Sequence, residues 1–165
     1  MKSENLKQFI MAALFAALTF VATCISLPIG SFGYVHIGDA VIYFAAATLP
    51  LGYALPAAVI GAGLCDLALG YVAYIPATVI IKALIVLAIK LIIRICNGKI
   101  KPLAVSLAGI ITVLGYYFAD VLLLIISASE PSVAFMSSLG GVGMNLLQAV
   151  ASAALFTIML KVKNK

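Results

Sequence analysis

The chain has 165 residues, 65% of them hydrophobic and 9% charged, with ten Lys and Arg against five Asp and Glu. An ordinary soluble domain is roughly 45–50% apolar and about 25% charged, so these proportions exclude one and require a chain embedded in a membrane. At about 20 apolar residues per crossing of roughly 30 Å of hydrocarbon, residues 1–165 form a single membrane domain of six helices with no separate soluble part.

The first apolar run, Leu6 to Leu27, follows Lys2 and Lys7; it is too long for a secretory signal, and no A-x-A site follows it. Ala12, Ala13, Ala16 and Ala17 make two overlapping small-xxx-small patterns on it, which let another helix approach closely. The segment Pro28 to Gly38 is 11 residues in a chain whose other turns are minimal. Its Ser31, Phe32, Gly33, Tyr34 and His36 suit a lid over a site or an anchor at the membrane interface. His36, the sole histidine, is also placed to cap the next helix near Asp39.

The second run, Asp39 to Leu49, is too short to cross at full thickness. The remaining four are Gly52 to Gly70, Pro76 to Cys96, Leu103 to Ala128 and Leu139 to Leu160, separated by Pro, Gly and Asn breakers. With the N-terminus inside, nine of the ten cations (Lys2, Lys7, Lys90, Arg94, Lys99, Lys101, Lys161, Lys163 and Lys165) fall on the cytoplasmic side. The opposite side receives His36, Asp39 and Glu130. The positive-inside rule and the even helix count agree, and both put the two termini in the cytoplasm. The net charge of +5 is therefore a topology signal, with no folded basic surface for nucleic acid.

Lys82 alone is a cation inside the membrane. Counting about 1.5 Å per residue from the middle of each run places Asp66, Lys82, Asp120 and Asn145 in one layer, about 6 to 8 Å outward of the midplane. An ionised side chain at such depth costs at least about 2.5–3.5 kcal/mol, so these groups are expected to face one another or a wet cavity, with Lys82 paired to Asp66 or Asp120. Gly109, Thr112, Tyr116 and Asp120 share one face of the fifth helix, with Tyr117 at its edge. Asn145 and Gln148 share a face of the sixth, just after Gly140, Gly141 and Gly143, read as a helix N-terminus with exposed backbone N–H groups. Amides beside tyrosine rings suit a neutral or zwitterionic ring compound. The candidate binding set is thus His36, Asp66, Lys82, Tyr116, Asp120, Asn145 and Gln148. Cys24, Cys65 and Cys96 lie within spans without C-x-x-C spacing, read as small buried hydrophobes with no disulfide framework and no metal site.

Three stretches carry a family resemblance: Tyr34-Val35-His36-Ile37-Gly38-Asp39, the run from Gly61 to Tyr71, and Pro76-Ala77-Thr78-Val79-Ile80-Ile81-Lys82. They resemble the substrate-binding S components of energy-coupling-factor (ECF) vitamin transporters, in the branch with riboflavin-type and hydroxymethylpyrimidine- or pyridoxine-type proteins. The resemblance implies a six-helix bundle in the bacterial plasma membrane, surrounded by lipid, that captures a vitamin at its outer face. It implies partners too, a transmembrane coupling protein and two ATPase subunits, with Ala12, Ala13, Ala16 and Ala17 matching the family's docking strip. No cofactor is implied, and ATP binding falls to the partners, since the chain has no G-x-x-x-x-G-K-[ST]. A compact polar layer favours a pyridoxine- or pyrimidine-like vitamin as cargo, with riboflavin second. The competing reading is a stand-alone proton-coupled carrier, in which Lys82 and two aspartates form a relay. An intramembrane enzyme lacks its signatures, having no G-x-G-D and no H-E-x-x-H.

Overall fold

The computed structural model describes residues 2–28, 34–97 and 102–163. Six helices follow one another: α1 (Lys2–Cys24), α2 (Gly38–Thr48), α3 (Leu51–Ala68), α4 (Ile75–Ile95), α5 (Pro102–Ile126) and α6 (Pro131–Lys163). Between α1 and α2, β1 (Ser26–Pro28) and β2 (Tyr34–His36) pair antiparallel, with Ser26 opposite His36 and Pro28 opposite Tyr34. The all-helical expectation thus needs one amendment, because the segment read as an open loop contains a short hairpin. Its tip, with Ser31, Phe32 and Gly33, lies outside the described residues, as do Lys99 and Lys101 of the α4–α5 connection.

Among the described residues, five helices are long and apolar enough to cross a membrane, α2 being the exception. At 11 residues it is about 16 Å long, roughly half the hydrocarbon thickness. It survives at that length because it is surrounded. Ala40, Ile42, Tyr43 and Ala46 are completely buried, and α1, α3, α4 and α6 all pack on it. A helix apolar on every face belongs in a core, and here the core cluster joins Phe15, Tyr43, Ile85, Ile89 and Phe156 around α2.

The helix ends follow from local chemistry. Pro50 forces Leu49 into extended backbone (ψ 152°), which stops α2, and caps the N-terminus of α3. Gly70 (φ +83°) ends α3: its N–H donates to the Leu67 carbonyl and that of Tyr71 to the Asp66 carbonyl, a Schellman turn. Pro131 starts α6 two turns earlier than the apolar run alone indicated, as a proline at a first helical position does. Gly140, Gly141 and Gly143 consequently lie inside α6, and their reading as a helix N-terminus is wrong.

Contacts fix the relative directions. The Cys24 and Cys65 thiols touch, so α1 and α3 run parallel. The Lys90 ammonium donates to the Leu49 carbonyl at the ends of α4 and α2. Tyr74 at the start of α4 meets Asp120 near the end of α5, so that pair is antiparallel. One end of the bundle therefore carries the hairpin and the α5–α6 turn; the far end carries Lys90, Arg94, Lys161 and Lys163.

Candidate binding site

Tyr74, Thr78 and Lys82 stand four residues apart along the start of α4, and Thr112, Tyr116 and Asp120 do the same on α5, so each trio lines one helix face. Antiparallel packing turns the two faces into a ladder. Nearest the hairpin end, Tyr74 Oη donates to Asp120 Oδ1 at 2.7 Å. One turn deeper, the Thr78 and Tyr116 hydroxyls are 3.4 Å apart. Deeper still, the Lys82 ammonium lies 5.1 Å from the centre of the Tyr116 ring, within cation–π range.

The innermost rung closes on α2. Lys82 Nζ donates to Asp39 Oδ1 at 2.6 Å, with the two side chains 1% and 0% exposed. Gln148 Nε2 from α6 donates to Asp39 Oδ2 at 3.1 Å. The Thr112 hydroxyl shares its hydrogen between the Ala108 carbonyl (3.1 Å) and Oδ2 (3.4 Å). Asp39 stands in the first turn of α2, where the positive end of the helix dipole favours a carboxylate. A buried ion pair withstands its desolvation only when the remaining lone pairs are also satisfied, and α4, α5 and α6 supply those donors.

His36 is buried beside this network, and its Nδ1 accepts the Gly38 N–H at 3.1 Å, capping α2 as expected from its position. Burial pulls the imidazole down to about 4; the neighbouring Asp39 carboxylate opposes the shift and the Lys82 ammonium adds to it. Gly38 is required at this turn, since a Cβ would collide with the Thr23 hydroxyl.

Of the predicted site residues, His36, Lys82, Tyr116 and Gln148 converge. The expected partner of Lys82 does not: Asp39 takes the place assigned to Asp66 or Asp120. The topology reading set Asp39 on the outer side, whereas the hairpin carries the chain back into the bundle before α2 begins. Asp120 pairs with Tyr74 instead, and Asp66 is buried at the end of α3. Asn145 is half-buried on α6, outside the hydrogen bonds around Asp39. Gly109 does not join the polar face of α5; a Cβ there would sit 3.3 Å from that of Ala149 on α6. Tyr74 and Thr78 were missed, although their spacing with Lys82 was readable; Thr112 was placed on the polar face of α5 but not in the candidate set.

Above the ladder, at the hairpin end, a cavity of about 330 Å³ opens between the start of α4, the end of α5 and the start of α6. Tyr74, Asp120, Ser127, Ser137 and Ser138 line it together with Leu123 and Leu124, and most of its wall is apolar. Ser138 is 1% exposed, and its hydroxyl has no hydrogen-bond partner among the described residues. A buried hydroxyl left so costs about 1–3 kcal/mol. A second cavity of about 400 Å³, between α5 and α6 nearer the far end, is almost wholly apolar.

On α1, Ala13 and Ala17 are exposed together with Leu14, Leu18 and Val21. Ala12 and Ala16 are half-buried against the core cluster. The alanine strip is thus split between two faces, one internal and one free.

Comparison with known proteins decides the family. The family model described as "ECF-type riboflavin transporter, S component" matches residues 3–165. The chain belongs to this family. No curated protein matches it. Among solved structures it is similar to one described as "Structure and mechanism of the S component of a bacterial ECF transporter", at a TM-score of 0.73 and 16% identity, over 97% of this chain and 96% of that one. That likeness concerns the fold. Together with five long apolar helices, membership makes the chain a multi-pass membrane protein and the substrate-binding subunit of an ECF transporter.

Proposed function

We propose that this S component captures a heteroaromatic vitamin in the cavity at the hairpin end and delivers it for ATP-driven uptake. The observation that carries the reading is the cavity at the hairpin end lined by Tyr74, Asp120, Ser127 and Ser137. A tyrosine ring offers a stacking surface, and the carboxylate and hydroxyls offer acceptors and donors to ring substituents. Beneath it, the Lys82–Asp39 network holds α4, α5 and α6 at fixed spacing around α2.

Riboflavin is the leading cargo, because the family description names it. A pyridoxine- or hydroxymethylpyrimidine-like compound is the second reading, favoured by the cavity's size, at the small end of the roughly 300–1,000 Å³ range of ligand sites. The hairpin end faces outward and the Lys-rich far end faces the cytoplasm with both termini, following the positive-inside rule in a bacterial plasma membrane. A transmembrane coupling protein docks against the free α1 face at Ala13 and Ala17, where small side chains allow helix contact, and two ATPase subunits power the cycle.

The test is thermal unfolding of the detergent-purified protein with riboflavin, pyridoxine and hydroxymethylpyrimidine in turn. A ligand at 100 times its Kd adds about 2.7 kcal/mol, and Asp120→Asn or Ser138→Ala should weaken the response at least tenfold in apparent Kd. No stabilisation by any of these compounds, in folded and ligand-free protein, refutes vitamin capture. Uptake into vesicles driven by a proton gradient, without the ATPases, would instead support a stand-alone carrier.

A further inference from the structure

Two thiols at the hairpin end lie against each other. Cys24 closes α1, two residues before β1, and Cys65 stands in the last turn of α3. Their Sγ atoms are 2.9 Å apart, across 41 residues of sequence. Neither is in a disulfide; Cys65 is completely buried and Cys24 half-buried. An S–S bond is about 2.05 Å long, so closing the gap takes a side-chain movement of under about 1 Å. Cys96, the third cysteine, caps α4 at the far end of the bundle. The pairing has no C-x-x-C spacing, so the sequence alone does not announce it.

We propose that Cys24 and Cys65 are a redox-active dithiol, a modification site for small disulfide oxidants. The Cys24 thiolate, on the more accessible residue, attacks one sulfur of the oxidant and expels its other half as a thiol. The Cys65 thiolate then attacks Cys24 Sγ in the mixed disulfide and releases the second half as a thiol. One S–S bond breaks and one forms; the protein gives up two protons and two electrons, which the two released thiols carry. The new bond ties the last residue of α1 to α3 at the point where the hairpin departs, and the Ser26 hydroxyl already reaches back to the Cys24 carbonyl there. β1 pairs there with β2, which leads to His36 and Asp39. Compartments that oxidise thiols lie outside the cytoplasm, and the physiological role, unlike the chemistry, rests on the outward orientation of the hairpin end.

Reduced, detergent-purified protein is incubated with excess 2-hydroxyethyl disulfide, denatured, alkylated and weighed. The expected result is the loss of alkylation at both Cys24 and Cys65 with no adduct retained on either, whatever Cys96 carries, a Cys24–Cys65 linked peptide after digestion, and a rise in melting temperature that a reductant reverses. Cys65→Ser, checked for a folded melting transition, should stop at the hydroxyethyl adduct on Cys24. Three thiols surviving in folded wild-type protein, a link through Cys96, or an adduct that persists on Cys24 in the wild type would each overturn the proposal. None of these readouts involves a vitamin, so the outcome is separate from that of the binding test.

Discussion

Removing one member of the Lys82–Asp39 pair should be far more damaging than removing both. In Lys82→Met the carboxylate stays completely buried with only the Gln148 amide (3.1 Å) and a shared Thr112 hydroxyl (3.4 Å) against it. In Asp39→Asn the ammonium, 1% exposed, loses the carboxylate 2.6 Å away and keeps neutral neighbours, the new amide and the Tyr116 ring among them. Stranding one charge of a buried pair costs about 3–5 kcal/mol. For a chain of this length each kcal/mol moves the melting temperature by about 2–4 °C, so each single variant should melt about 6–20 °C lower. The double variant Asp39→Asn/Lys82→Met buries no charge, keeps an amide for Gln148 and a long stem over Tyr116, and should lie within about 1 kcal/mol of wild type, as replaced ion pairs often do. Thermal unfolding in detergent, read by a thiol-reactive dye that reports exposure of the buried Cys65, measures all four proteins. Losses that add in the double variant to within about 0.5 kcal/mol, as independent sites do, would refute the coupling.

A Cβ at Gly61 would stand 2.5 Å from the Ala16 carbonyl, so Gly61→Ala should push α1 off α3 and destabilise by about 1–3 kcal/mol. Gly143→Ala meets nothing within 4 Å and should stabilise α6 by about 0.5–1 kcal/mol; the two melting temperatures must move in opposite directions. Ala17→Leu, on the free face of α1, should leave vitamin binding intact and abolish uptake by the assembled transporter. Ala16→Leu should instead lower stability, since that residue packs inside the bundle, and a harmless Ala17→Leu in the uptake assay would sink the docking assignment. The depressed imidazole of His36 makes the fold pH-sensitive. Between the ordinary value of 6.5 and about 4 the unfolded chain holds a proton that the folded one lacks, so stability is full above pH 6.5 and falls progressively as pH drops towards 4. The loss is on the order of 3 kcal/mol at most; a melting curve over this range that His36→Gln leaves unchanged would contradict the assignment.

What the amino-acid sequence determined by itself was everything that depends on hydrophobic runs and their punctuation: the membrane setting, six helices, the short α2, and the ends at Pro50 and Gly70. Those features are local, because a span must satisfy its own backbone and Pro50 holds the residue before it in extended backbone. The polar layer was legible in part, since Lys82, Tyr116 and Gln148 are costly in lipid and had to turn inward. Only the tertiary structure decided which acid meets Lys82. Asp39 reaches it because the hairpin returns the chain into the bundle before α2 starts, a path no depth count along single helices contains. The same holds for Cys24 against Cys65, for Ala16 turned inward while Ala17 stays free, and for Ser138 facing a cavity. Each is a pairing between distant segments, set by how parallel and antiparallel neighbours slide to fill the space around one buried half-length helix.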